Sequence, residues 1–256
     1  MYTIDLTGKT ALIAGVANHR SLAWAVAKEL ARSGVRLMVS YQSDRFRDGV
    51  QKLTHEIPET VLVEMDVASD ESMDRAFGQI QEQVGRIDYL VHAVAFAKKE
   101  DLEGAFYDTS RDGYHLALDI SAYSLLAMTH RALPMMGEGA SIVSLSYIAA
   151  QRAVPNYNVM GTAKAALEHA TRQLAHELGP RGIRVNCVSA GPVSTLSARG
   201  ITGFTSMLGY HSEKAPLRRN ITPHEVGMAA LFLLSPLASG ITGETLYVDA
   251  GYHITI

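Results

Sequence analysis

Short apolar runs alternate with amphipathic stretches along nearly the whole chain. Thr10–Gly15 (TALIAG), Val35–Ser40 (VRLMVS), Val61–Met65, Ile87–Val91, Ser141–Leu145, Ile183–Val188 and Thr245–Val248 are compact apolar runs, as expected of strands buried on both faces. Between them lie helical patterns. The stretch opened by Ser21, a candidate helix cap, repeats apolar positions at helical spacing until Gly34. Asp44–Glu56 is a helix of mixed polarity, and Ser69–Val84 sets Met73, Phe77, Ile80 and Val84 on one side. Arg111–Met136 predicts one long helix or two, a further helix starts near Pro155, and Glu225–Leu234 is the last. Ala95–Ser110 and Ser189–Thr222 read as loops. The second is long enough to be a lid or binding segment.

Strand and helix alternate seven times without a compositional break or a Pro-rich linker. The pattern predicts an α/β fold: a single doubly wound (Rossmann) domain over residues 1–256, with a seven-stranded parallel sheet flanked by helices. In such a sheet ligands bind at the carboxyl ends of the strands, near the reversal of strand order. The turn after the first strand and the loops after the fourth, fifth and sixth all emerge there.

Composition narrows the setting. A chain of 256 residues, 47% hydrophobic and 19% charged, fits an ordinary globular protein. Its net charge of −3, with no dense basic run, argues against nucleic acid as a partner. No window approaches eighteen consecutive apolar residues, so no membrane span is expected. The N-terminus lacks a signal-peptide pattern, and the expected location is the cytoplasm. The single cysteine, Cys187, lies in the apolar run IRVNCVSA and reads as a small buried side chain rather than a nucleophile.

The chemistry concentrates in Ser144–Lys164, SLSYIAAQRAVPNYNVMGTAK. Tyr157 and Lys164 are seven residues apart on a predicted helix, nearly two turns at about 3.6 residues each, so they share a face. A phenol and an ammonium so placed can hold a carbonyl oxygen and a ribose together. Tyr147, where the loop leaves the strand, could face the same place. Gly15–Ala23 follows a strand and opens a helix, the setting in which backbone N–H groups receive a pyrophosphate. Only Gly15 of the usual three glycines is present, and a plain strand–helix turn is the competing reading. Gln42 ends the second strand, where a ribose would lie. It is neither the acid that selects a free 2′-hydroxyl nor the base that selects a 2′-phosphate. Asp66 and Val67, after the third strand, could frame an adenine, or Asp66 could serve a helix-capping turn. His92 reads as a core histidine. Val193 and Thr195 could meet a carboxamide and a phosphate, although the Gly191-Pro192 turn alone implies neither.

The segments GVANHRSLAWAVA, SYQSD, MDVASD, LSYIAAQRAVPNYNVMGTAKAALE, RVNCVSAGPVSTLSARGI and GITGETLYVDAG together resemble the enoyl-acyl carrier protein reductases, a divergent branch of the short-chain dehydrogenase/reductases. The resemblance runs from about Gly8 to Gly251. It implies NADH-dependent reduction of the trans-2 double bond of enoyl thioesters in fatty acid synthesis, with NADP the less expected cofactor. It further implies that Tyr157 donates to the thioester carbonyl, that Lys164 binds the nicotinamide ribose, and that Tyr147 is a second active-site tyrosine. Gly15, Ser21, Leu22, Gln42, Asp66, Val67, Val94, Val193, Ser194, Thr195, Leu196 and Ser197 match the family's cofactor contacts, and Ala97 a backbone contact to substrate. Residues of about 194–221 would form a flexible substrate segment, with Leu196, Ile201, Phe204, Met207 and Leu208 along an acyl channel. The expected partner is acyl carrier protein, with Arg199, Lys214, Arg218 and Arg219 as possible docking charges, and the expected assembly is a homotetramer.

Two departures stand out: Ala95 replaces a glycine common in relatives, and residues 200–207 lack the basic groups some relatives carry there. Ordinary carbonyl reductases of the superfamily need a Tyr four residues before the Lys, where this chain has Met160. An inactive dinucleotide sensor is the competing reading from another class, and such proteins commonly lose the Tyr or Lys that this chain keeps.

Overall fold

The computed structural model describes residues 4–195, 198 and 202–255. Seven strands form one sheet: β1 (Thr10–Ala14), β2 (Arg36–Tyr41), β3 (Val61–Glu64), β4 (Tyr89–His92), β5 (Ser141–Ser146), β6 (Arg184–Ala190) and β7 (Thr245–Val248). Their order is β3-β2-β1-β4-β5-β6-β7, and each pair of neighbours is parallel. The doubly wound α/β sheet expected from the sequence is therefore present.

Both faces of the sheet are covered, as the apolar runs require. In β1 alternate residues diverge: Ala11 and Ile13 pack into one core with α1 (Leu22–Arg32) and α8 (Pro223–Leu234). Leu12 and Ala14 pack into the opposite core with α3 (Asp70–Gln83), α5 (Ser124–Ala132) and α6 (Asn158–Leu178). Leu12 and Ile13 are fully buried, and a side chain of that kind stabilises the fold by roughly 1.5–3 kcal/mol. The helix α2 (Asp44–Thr54) covers β2 through Val50. At the end of α8, Arg184 donates to the carbonyls of Leu233, Leu234 and Ser235 at 2.6, 2.9 and 3.0 Å. These are carbonyls a helix terminus leaves without intrahelical donors.

One open expectation is decided and two change. Arg111–Met136 is a nearly continuous rod: α4 (Arg111–Leu118) runs through a π-helical turn, Asp119–Tyr123, into α5. The segment read as a loop over Ser189–Thr222 contains α7 (Phe204–Lys214). Its sequence, FTSMLGYHSEK, has few strong helix formers, and Gly203 precedes it in the left-handed region instead of a capping Ser or Asp. Finally, α6 starts later than expected because Asn156 turns the chain at φ 60°, so Tyr157 is the residue capping the helix rather than one within it.

Candidate active site

The reversal of strand order falls between β1 and β4, and the chain is closely packed there. Gly15 has φ 104°, and a Cβ at this position would lie 2.2 Å from the carbonyl oxygen of Ala93. Only glycine permits that approach. Ser21 stands at the N-terminus of α1 but does not cap it through its side chain, contrary to expectation. Its Oγ accepts from the N–H groups of Ala17 and Asn18, both at 3.1 Å. The hydroxyl therefore fastens the turn onto the helix start and keeps its own proton to donate.

Across the reversal, β5, the loop that follows it and α6 carry the candidate groups Tyr147, Tyr157 and Lys164. Lys164 is 6% exposed, and its Nζ donates to the carbonyl oxygen of Leu145 at 2.7 Å. Burial lowers its pKa to about 8, against the raising influence of Cys187 and Glu168. Desolvation of the ammonium outweighs its neighbours. Tyr157 meets Tyr147 edge to face, with ring centroids 5.0 Å apart. Burial raises Tyr157 far above the usual phenol range, with Tyr147 adding to the effect, and pushes Tyr147 up to about 12. Both phenols remain protonated donors at neutral pH. The hydroxyl of Tyr147 donates to the Met207 sulfur of α7 at 3.4 Å.

These groups line one cavity of about 510 Å³. It brings together Gly15, Ser21, Leu22, Ala97, Tyr147, Tyr157, Lys164, Val193 and Thr195, with Ala95, Phe204 and Met207 in the same wall. Gln42, Asp66 and Val67 follow the ends of β2 and β3 and are not part of this wall. Asp66 does form the turn before α3, accepting from the Ala68 N–H at 3.1 Å, while Ser69 is the residue that caps the helix. Val94 packs against the core behind the site. Ser194 lies between two wall residues, and Leu196, Ser197, Arg199 and Ile201 fall outside the described residues. Leu208 is half-buried and outside the wall.

His92 is fully buried with its Nε2 against the Ser124 hydroxyl at 2.7 Å, a core histidine as expected. Cys187 is buried too. The sequence reading missed Ser121, in the π-helical turn. Its Oγ accepts from the Phe96 N–H at 3.0 Å and so fixes the backbone leading to Ala97. It also missed Ser146 and Glu168, whose hydroxyl and carboxyl meet at 2.7 Å beside Lys164. The four-residue spacing of Lys164 and Glu168 on a helix was the available signal.

A cavity of this make at the order reversal of a doubly wound sheet places the protein among the short-chain, dinucleotide-dependent oxidoreductases. A sequence profile described as enoyl-(acyl carrier protein) reductase matches residues 15–253, and the chain belongs to that family. It is 48% identical over 251 residues to the enoyl-[acyl-carrier-protein] reductase [NADH] FabI of Bacillus cereus, covering 97% of this chain and 98% of that protein. It is 49% identical over 252 residues to the enoyl-[acyl-carrier-protein] reductase [NADPH] FabI of Staphylococcus aureus, covering 98% of each. The crystal structure of the enoyl-[acyl-carrier-protein] reductase (NADH) from Aquifex aeolicus superposes with a TM-score of 0.95 at 44% identity, covering 97% of this chain and 98% of that one. The Bacillus cereus reductase with NADP+ and indole naphthyridinone gives 0.96 at 47% identity, covering 99% of each.

Proposed function

We propose that this protein reduces the carbon–carbon double bond of trans-2-enoyl thioesters carried by acyl carrier protein, with NADH as the preferred cofactor. The observation that carries the reading is the single cavity joining the Gly15 turn to Tyr157 and Lys164. The cavity fits a dinucleotide: at Gly15 the turn approaches the Ala93 carbonyl too closely for any side chain, α1 begins beside it, and a buried amine stands at the far end. Ser21 and the backbone of the turn would hold the pyrophosphate, Lys164 the nicotinamide ribose, and Val193 and Thr195 the carboxamide side. Gln42, Asp66 and Val67 would meet the adenosine.

When bound, the reduced nicotinamide supplies a hydride. A proton taken up at the α-carbon completes the reduction, and the chain's own groups bind, orient and stabilise. Charge accumulates on the thioester oxygen as the β-carbon is reduced, and Tyr157, a protonated phenol in a buried position, donates to that oxygen. A donor placed in advance stabilises the transition state more than the ground state. Tyr147 packs against the Tyr157 ring and restricts its orientation. Phe204 and Met207 of α7 give the acyl side of the wall its apolar character. Residues of about 194–221 would close over the substrate.

Gln42, exposed at the end of β2, supports NADH because it can bond a ribose hydroxyl but brings no positive charge for a 2′-phosphate. Relatives are named for either cofactor, so the preference is measured directly by comparing NADH with NADPH. For the carrier protein, Lys214, Arg218 and Arg219 are the docking charges we expect among the described residues, although Lys214 is paired with the Glu213 carboxylate at 3.3 Å. Arg219 is already held by the Glu225 carboxylate at 2.6 and 3.0 Å. A homotetramer is the assembly we expect, and sedimentation analysis decides it. No described helix is long and apolar enough to cross a membrane. The central test follows NADH absorbance with crotonyl-coenzyme A and with a panel of ketones. Oxidation with the enoyl thioester alone supports the reading; oxidation with neither favours a dinucleotide sensor.

A further inference from the structure

Behind Lys164, α6 carries a second buried ionisable group. Glu168 follows Lys164 by four residues, which puts the two on one helix face with Cβ atoms about 5–6 Å apart. Glu168 is only 3% exposed. Its Oε1 accepts from the Ser146 hydroxyl at 2.7 Å and its Oε2 from the Gln151 amide at 3.4 Å. Ser146 lines the cavity and directly follows Leu145, whose carbonyl receives the Lys164 Nζ. One strand end therefore tethers both the amine and the carboxyl.

We propose that Glu168 is a positioning residue for the cofactor site: a carboxylate behind the cavity that keeps Lys164 an ammonium and so keeps it able to donate to the ribose hydroxyls. A buried cation is costly unless a countercharge and hydrogen bonds accompany it. Other titratable groups around Lys164 do not supply that charge. From β4, His92 is held neutral, its pKa pushed down to about 3 by burial and then by Lys164. From β6, Cys187 is pushed up to about 12 by burial, so its thiol is uncharged throughout the range in which Lys164 titrates. Tyr147 and Tyr157 on the cavity side, and Tyr247 on β7, are all raised by burial and neutral. Arg152 is turned away to the carbonyls of His253 and Thr255. Of the two groups able to favour the ammonium, Cys187 and Glu168, the thiol is held neutral by burial, which leaves the Glu168 carboxyl, whose two oxygens each accept a hydrogen bond.

The proposal rests on Lys164 as the ribose donor, and its test separates the two. Wild-type protein that does not bind NADH refutes the reading of Lys164, whereas titration of Lys164 in cofactor-free protein addresses Glu168 alone. The ε-methylene resonance of Lys164, assigned with Lys164→Arg, is followed against pH in wild type, Glu168→Gln and Glu168→Asp. In Glu168→Gln the midpoint is expected to fall by about one pH unit. The pH at which NADH affinity is lost should fall with it, weakening binding several-fold near pH 8. Glu168→Asp, which keeps the charge, should recover most of the shift. A folded Glu168→Gln protein with the wild-type midpoint overturns the proposal, as does an aspartate variant as low as the glutamine one. Should Glu168→Gln fail to fold, the carboxyl carbon shift of Glu168 in the wild type decides. An anion at neutral pH is expected, and a protonated carboxyl there overturns the proposal.

Discussion

The ring of Tyr157 meets that of Tyr147 at 61° with centroids 5.0 Å apart, although one comes from the loop after β5 and the other caps α6. The contact holds a phenol with few degrees of freedom at the cavity wall. Its hydroxyl is kept protonated by burial. Tyr157→Phe removes the donor and leaves the ring, so the packing survives. Turnover of enoyl thioesters should fall by a factor of about 100 to 1,000, with NADH affinity nearly unchanged. Comparable losses in both would argue that the hydroxyl serves the cofactor instead.

Lys164 titrates near pH 8 because burial disfavours its charged form. Below that pH it is an ammonium and can donate to ribose hydroxyls. Above it, the neutral amine is a poorer donor without a charge. NADH affinity, measured by fluorescence between about pH 6 and about pH 10, should therefore decline as pH rises through about 8. A profile that is flat across this range contradicts the assignment.

Gly15 combines φ 104° with a Cβ position 2.2 Å from the Ala93 carbonyl. Gly15→Ala adds strain to the backbone and forces β1 and β4 apart at the order reversal. Loss of at least about 2 kcal/mol of stability is expected, with NADH binding lost even where the protein remains folded. Denaturant titration and cofactor binding read the two effects separately, and wild-type binding in this variant would remove the turn from the site.

Glu225 completes a capping box with Thr222 at the start of α8 and receives Arg219. The Arg219 hydrogen bonds lead the influences that lower its pKa to about 2, from an ordinary value of 4.5. A carboxyl lowered on folding stabilises the protein above its ordinary pKa, and that contribution disappears as pH falls from about 4.5 through about 2. Its side chain is one-third exposed, so solvent screens the ion pair and the cap carries most of the effect. Glu225→Ala, which removes both the capping carboxyl and the ion pair, should cost about 1 kcal/mol at neutral pH, with a melting temperature lower by about 2–4 °C. The difference from wild type should shrink in acid; a constant difference down to about pH 2 would be contrary to this account.

The sequence by itself determined the seven strands, most of the helices and the sheet edge at which the cavity lies. Runs such as TALIAG and VRLMVS admit few arrangements other than strands covered on both faces, and Tyr157, Lys164 and Gly15 were legible because residue type and spacing already constrain their chemistry. Tertiary structure decided what depends on surroundings. Ser21 met two turn amides instead of capping α1. α7 formed although its local propensity is weak, with Phe204 and His211 buried to hold it in place. Lys164 lost its ordinary pKa because desolvation is a property of the folded interior, where the groups around an amine come from β4, β5 and β6 as well as from its own helix and no local stretch of sequence contains them all.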